Sequence, residues 1–387
     1  MAKTLAPRED TMCPTNEFID VPMTERHETS PSGLPLWVTG VCIAVIIYAS
    51  LQPFTGWTEP APGGHFFLFQ WGQRWIVGDA TFNVLAYIPF GFALVMAWPL
   101  RWSGLRSIMA TLGFALALSL AMETAQIWLP TRYASVFDTL SNLVGTLVGA
   151  VFGALVISSK PLLSAARALR ETLVVPGESG ELKLVLLLVW LLAQTNPAIP
   201  LFGATFHPGQ KAAFEPVVLI VELVQTTTAL IGIGLFTDLI MRKRWMGGIA
   251  LVLVLTLAIV MKTAAAQAVL TPVAWDAWLR PGHTLGLAVG AFALMVLFWL
   301  PRAAKSVIAG IALISSVMVT LLLPDFVAAK APLSIFSWNY GHLLHLNGLT
   351  HTIVILWPFM ATAVLLWRFT LRPTHKAIDV VTEVGNA

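Results

Sequence analysis

The sequence predicts an all-α polytopic membrane bundle, and two observations carry that expectation. Of 387 residues, 57% are hydrophobic and 11% charged, and the mean hydropathy is +0.78. Soluble domains carry about a quarter charged residues, so a soluble globule is excluded. The apolar residues also fall in runs of about 20, the length a helix needs to cross the hydrocarbon core, rather than in alternating strands of about ten. Only helices and closed barrels satisfy their backbones in lipid, and run length selects helices. The 15 Trp suit this class, because indole favours the membrane–water boundary.

Residues 1–34 come first, rich in Pro, Thr and charge. That layout differs from a cleaved signal peptide and predicts a disordered cytoplasmic tail followed by a retained first span. Apolar runs then occupy roughly 35–54, 80–98, 106–129, 137–158, 181–200, 215–240, 246–268, 282–300, 306–323 and 350–370, about ten transmembrane helices in all. Pro89, with Gly91 beyond it, predicts a kink in the second run near Ala86. Between the first two runs, Trp57 to Gly78 is aromatic and nearly uncharged, which predicts an interfacial segment over the neighbouring helix ends. Lys160 to Val175 places Leu162, Ala166, Leu169 and Leu173 on one helical face opposite Arg167, Arg170 and Glu171, the pattern of a helix on the inner membrane surface.

An even number of spans puts both termini on one side. Sixteen of the 23 Lys and Arg flank the ends on that side, against five (Arg74, Arg132, Lys211, Arg280 and Lys330) on the other. By the positive-inside rule both termini are cytoplasmic, as in an inner-membrane protein. Cys13 lies in the tail and Cys42 in the first run, so no disulfide is expected.

The two halves show a degenerate repeat. Gln52-Pro53 ends the first run and Asn196-Pro197 the fifth; Met122-Glu123-Thr124 matches Met261-Lys262-Thr263; Asn142-x2-Gly145-x3-Gly149 matches His283-x2-Gly286-x3-Gly290. The predicted organisation is a tail at 1–34, a four-helix unit at 35–158, an amphipathic linker at 159–180, a second four-helix unit at 181–300 in parallel orientation, two further helices at 301–370, and a cytoplasmic tail at 371–387.

Chemistry-bearing residues concentrate in the first unit. Asp79 and Asn83 are four apart, as are Asp138 and Asn142, while Glu123 and Gln126 are three apart, so each pair shares a helix face. The aspartates suit helix starts, where a carboxylate accepts orphan amide protons. Glu123 has no such explanation: it lies more than a turn inside an apolar run, near a helix C-terminus whose dipole opposes it. These residues, with Arg132, are expected to converge near the outer face, with Glu123 as the functional group. Gly145, Gly149 and Gly153 form a small-x3-small packing stripe. In the second half Glu222 and Lys262 are expected to pair. His342, His345 and His351 lie in a segment, Phe336 to Thr350, expected to be an interfacial loop, and no carboxylate or cysteine accompanies them, so no metal site is expected. No cofactor motif or nucleic-acid-binding patch is present.

In residues 37–158, the order Asp79, Asn83, Pro89, Gly91, Glu123, Gln126, Asp138, Asn142, Gly145 and Gly149 resembles the VanZ-like family of bacterial membrane proteins, named after a protein associated with teicoplanin resistance. The resemblance implies a bacterial envelope protein associated with glycopeptide resistance; the outer polar cluster, with no nucleophile and base at a suggestive spacing, is expected to bind membrane lipid, either a lipid-linked cell-wall precursor or an amphiphilic glycopeptide. Two alternatives stand beside that binding role: an acid–base enzyme acting on a lipid, and a transporter.

Overall fold

The computed structural model describes residues 32–60, 77–102, 104–196, 216–269, 281–323 and 341–370. Among them are eleven helices: α1 (Leu34–Leu51), α2 (Val77–Ala97), α3 (Gly104–Gln126), α4 (Val136–Ser158), α5 (Lys160–Leu173), α6 (Glu178–Ala193), α7 (Pro216–Ile240), α8 (Met246–Val269), α9 (Pro281–Leu297), α10 (Arg302–Leu322) and α11 (Gly341–Thr370). The protein is a polytopic helical membrane bundle. Residues 1–31 of the predicted N-terminal tail, the predicted C-terminal tail and most of the aromatic segment between α1 and α2 lie outside the described residues.

Eight helices are long and apolar enough to cross a membrane. The two predicted runs that do not reach that length are α6, with 16 residues, and α9, with 17. At 1.5 Å per residue each covers roughly 25 Å, short of the ~30 Å core. Helix α6 stops at Ala193 because Thr195-Asn196 precedes Pro197, and a residue before proline is disfavoured in the helical region. Helix α2 continues through Pro89 as one helix.

The expected loop before the last run is helical from Gly341 onward. Leu349, Ile353, Trp357, Ala361 and Leu365, four apart, are all buried and form the inward face of α11.

Among α1 to α4, α2 and α4 meet backbone to backbone. A Cβ at Gly145 would fall 2.3 Å from the Val84 carbonyl oxygen and one at Gly149 2.0 Å from that of Ile88, while Gly153 abuts Val95. Reciprocally, a Cβ at Gly91 would fall 2.3 Å from the Thr146 carbonyl oxygen. Small residues on both faces permit this approach, which is how helices gain packing energy when lipid supplies no hydrophobic contrast.

Helices α7 and α9 also pack through glycine. Gly282 abuts Glu222, Gly286 abuts Thr226 and the Leu223 carbonyl, and Gly290 abuts Leu230. Helix α10 is tied to α7 by a buried ion pair, Lys305 Nζ to Asp238 Oδ2 at 2.6 Å. Helix α11 packs on α6 through Trp357 Nε1, which donates to the Leu186 carbonyl at 2.6 Å. It reaches α1 through the Tyr48 and Thr352 hydroxyls, 2.9 Å apart.

Candidate functional site

The site is built on α3, whose buried face is polar. Ser107, Thr111, Ala115, Ser119 and Glu123 recur every fourth residue and are buried together with Gln126. The opposite face exposes Leu105, Met109, Phe114 and Leu116. This inverts the pattern of a soluble helix: apolar side chains face outward to lipid and small polar ones inward to α2 and α4.

Glu123 is 3% exposed. Its Oε2 accepts a hydrogen bond from the Ser135 backbone N–H at 2.7 Å. Ser135 is the N-cap of α4, and its own hydroxyl accepts from the Phe137 amide. The carboxylate near the C-terminal end of α3 therefore sits against the positive end of α4, where an orphan amide and the dipole both favour it. Asp138, half-buried in the first turn of α4, shares the electrostatic neighbourhood of Glu123 with Arg132.

One turn inward, Asn142 is 6% exposed. Its Nδ2 donates to Ser119 Oγ at 2.9 Å. Its Oδ1 is buried with no hydrogen-bond partner among the described residues, as is Thr139 Oγ1 on the same face of α4. From α2, the buried Tyr87 phenol shares a hydrogen bond with Ser119 and lies in the field of Glu123. Asn83 is half-buried one turn from Tyr87 on that face. The structure thus brings Glu123, Ser119, Asn142 and Tyr87 into one neighbourhood, with Asp138 at its edge. Asp79 is in the first turn of α2, with its side chain outside the described residues.

Gln126 and Arg132, at the rim of this neighbourhood, reach across to α1. Gln126 Nε2 donates to the Ser50 carbonyl at 3.0 Å, and Arg132 Nη2 donates to the Ala49 carbonyl. Both satisfy orphan carbonyls in the last turn of α1, at the negative end of its dipole, and so dock that helix beside the site. Burial lowers the Arg132 guanidinium from its ordinary value to about 10 while Glu123 and Asp138 oppose the change, so it remains a cation at neutral pH.

Ser119, Ser135 and Thr139 were not singled out by the sequence. The four-residue spacing of small polar residues along α3 was the signal that could have found Ser119. The start of α4 at Ser135, and hence the partner of Glu123, needs the fold.

Glu222 and Lys262 meet different partners, which corrects the expected pair. Glu222 Oε1 lies 3.7 Å from His283 Nε2, while His283 Nδ1 and Thr226 Oγ1 are 2.8 Å apart. Lys262 Nζ donates to the Asn196 carbonyl at 2.9 Å, just beyond the end of α6, where the dipole favours a cation. A histidine on the facing helix and a helix terminus provided nearer partners than either charge on its neighbouring span. Asn196 also bonds Asn347 and Thr350 of α11. The side chains of His342 and His345 lie outside the described residues, and no group of three metal-ligating side chains occurs among the described ones.

With this geometry in view, residues 24–157, about a third of the chain, match the VanZ/LLP1 family model. The helices within that match, α1 to α4, are similar to that family. The match spans every element of the site: the docked end of α1, the α2–α4 glycine contact, the polar face of α3 and the capped start of α4. No curated protein and no solved structure matches the chain. The six helices after the VanZ-like unit and α5 lie beyond the matched residues.

Proposed function

We propose that this multi-pass protein resides in the bacterial cytoplasmic membrane with both termini inside. In this reading the polar site of its VanZ-like unit, at the outer face, binds the headgroup of a lipid-linked cell-wall intermediate or an amphiphilic glycopeptide. The observation that carries the reading is the pair of unmet acceptors, Asn142 Oδ1 and Thr139 Oγ1, next to the buried Glu123 carboxyl. A buried acceptor without a donor costs about 1–3 kcal/mol, and a ligand that donates hydrogen bonds recovers that energy. Sugar hydroxyls and peptide N–H groups are such donors, and both ligand classes carry them. The basic residues clustered where α4 meets α5, α7 meets α8 and α9 meets α10 support the orientation.

Two parallel four-helix copies are part of the proposal. Gly145 lies against Val84 of α2 and Gly286 against Leu223 of α7, the residue found by the offset of 139 that relates Glu123 to Lys262. Gln126 caps the end of α1, and Lys262 that of α6. In the second copy the acid and amides of the first are replaced by Lys262, Glu222 and His283, so headgroup binding is assigned to the first.

The test is binding by purified protein of a polyprenyl-linked disaccharide lipid and of teicoplanin. Asn142→Leu removes the unmet acceptor at similar volume, so affinity should fall at least tenfold while the melting temperature stays within a few degrees. Glu123→Gln keeps an acceptor for Ser135 and should weaken binding if the ligand reads the carboxyl. Unchanged affinity for both probes in both variants would leave the cluster as helix–helix glue. Turnover of the lipid would instead favour the acid–base enzyme, and glycopeptide susceptibility of a strain lacking the protein tests the resistance role.

A further inference from the structure

We propose that α5 and the α7–α8 turn form a ledge that binds anionic phospholipid headgroups, with the leucine face of α5 seated in the acyl boundary beneath them. Helix α5 buries none of its residues. Leu162 is 50% exposed and Leu169 60%, and with Ala166 and Leu173 they share one face. Lys160, Ser164, Arg167 and Glu171 lie on the opposite face, bordering a depression of about 350 Å³. A helix so divided, with Leu162, Ala166 and Leu169 exposed and only Leu173 packed on the core, suits the plane of a membrane interface.

The level of that interface is marked by Trp245, 67% exposed at the α7–α8 turn, and Trp299, 82% exposed at the α9–α10 turn. Helix α5 is held at this level rather than tethered loosely. Arg170 Nη2 meets Glu181 Oε1 at 2.5 Å. The Val175 amide donates to the Ile240 carbonyl at 2.9 Å and the Arg242 amide to the Leu173 carbonyl at 2.8 Å. Arg242 Nη1 also donates to the Glu171 carbonyl at 2.8 Å.

This latch sets the exposed run Arg242-Lys243-Arg244 beside the last turn of α5. Arg170 is neutralised by Glu181, which leaves five cations (Lys160, Arg167, Arg242, Lys243 and Arg244) against the exposed carboxylates of Glu171 and Glu178. The surplus is positive and directed where headgroup phosphates lie. Basic residues that served only to orient the chain during insertion would leave no headgroup preference in the folded protein, whereas a ledge does.

The experiment uses the full chain in an uncharged detergent, titrated with phosphatidylglycerol or phosphatidylcholine and read by native mass spectrometry. The wild type should retain phosphatidylglycerol preferentially, less so as salt rises. In Arg167→Gln/Lys243→Gln/Arg244→Gln that preference should fall on the order of tenfold or more, since each basic residue near an anionic surface contributes about fivefold. All three side chains are exposed, so lipid-free stability should not change. A second measurement places a spin label at Leu169→Cys or Ser164→Cys, in a Cys13→Ser/Cys42→Ser background, in mixed phosphatidylglycerol and phosphatidylcholine vesicles. The label at 169 should be reached by oxygen and shielded from an aqueous nickel chelate, and the label at 164 should show the reverse. An undiminished lipid preference in the triple variant, or both labels in water, would overturn the proposal.

Discussion

A methyl group added at Gly149 would overlap the Ile88 carbonyl oxygen, whereas one added at Gly40 or Gly113 would meet nothing within 4 Å. The obstacle at Gly149 is backbone, so it cannot rotate away, and α2 and α4 must separate. Gly149→Ala is expected to destabilise the protein by about 2 kcal/mol or more. Gly40→Ala and Gly113→Ala should be neutral or slightly stabilising through helix propensity. Unfolding in mixed micelles measures all three; a loss at Gly113 equal to that at Gly149 would argue against the close contact. The spacing of Gly145, Gly149 and Gly153 was legible because a four-residue repeat of small residues on an apolar helix has few other uses. The partners of Glu123 and Glu222 were not. An acid near a helix C-terminus reads as unexplained until a neighbouring helix start comes to meet it, and Glu222 reads as the counter-ion of Lys262 until His283 is seen opposite.

At the scale of elements, polar side chains act through helix ends more than through each other. Gln126 and Arg132 hold the last turn of α1, and Glu123 holds the first turn of α4. Removing both donors to α1, as Gln126→Ala/Arg132→Ala, should fray it: amide exchange of Ala49 to Leu51 should rise at least tenfold while exchange in α3 stays unchanged. Arg132→Lys alone should preserve most of the protection, because a cation near those carbonyls suffices. Equal exchange in the double variant and the wild type would mean that α1 is held by packing alone. The helices themselves were visible as apolar runs, and the two that fell short, α6 and α9, show what run length cannot register. It counts apolar residues, not where a following proline, Pro197 or Pro301, ends the helix. Lys305, three residues into α10, belongs by position with the basic residues at helix ends, and only the fold reveals it buried against Asp238.

For the whole molecule, the distribution of basic residues predicts which end faces the cytoplasm. Tyr133, 84% exposed between α3 and α4, and Lys243, between α7 and α8, lie at opposite ends of the bundle. In a background lacking Cys13 and Cys42, a cysteine at position 133 should be labelled by an impermeant reagent from outside and one at position 243 only after permeabilisation. The reverse pattern would invert the orientation. The polar inward face of α3 also bears on how the chain is made. Helices leave the ribosome one at a time, and α3 emerges with Ser119 and Glu123 directed at partners, Asn142 and the Ser135 amide, that have not yet been synthesised. Lipid offers those groups nothing, so α3 is a poor candidate for release into the bilayer alone. It should linger beside the insertion channel until α4 arrives, and a nascent chain cut short between the two should be cleared by membrane proteases while one ending after Ser158 survives.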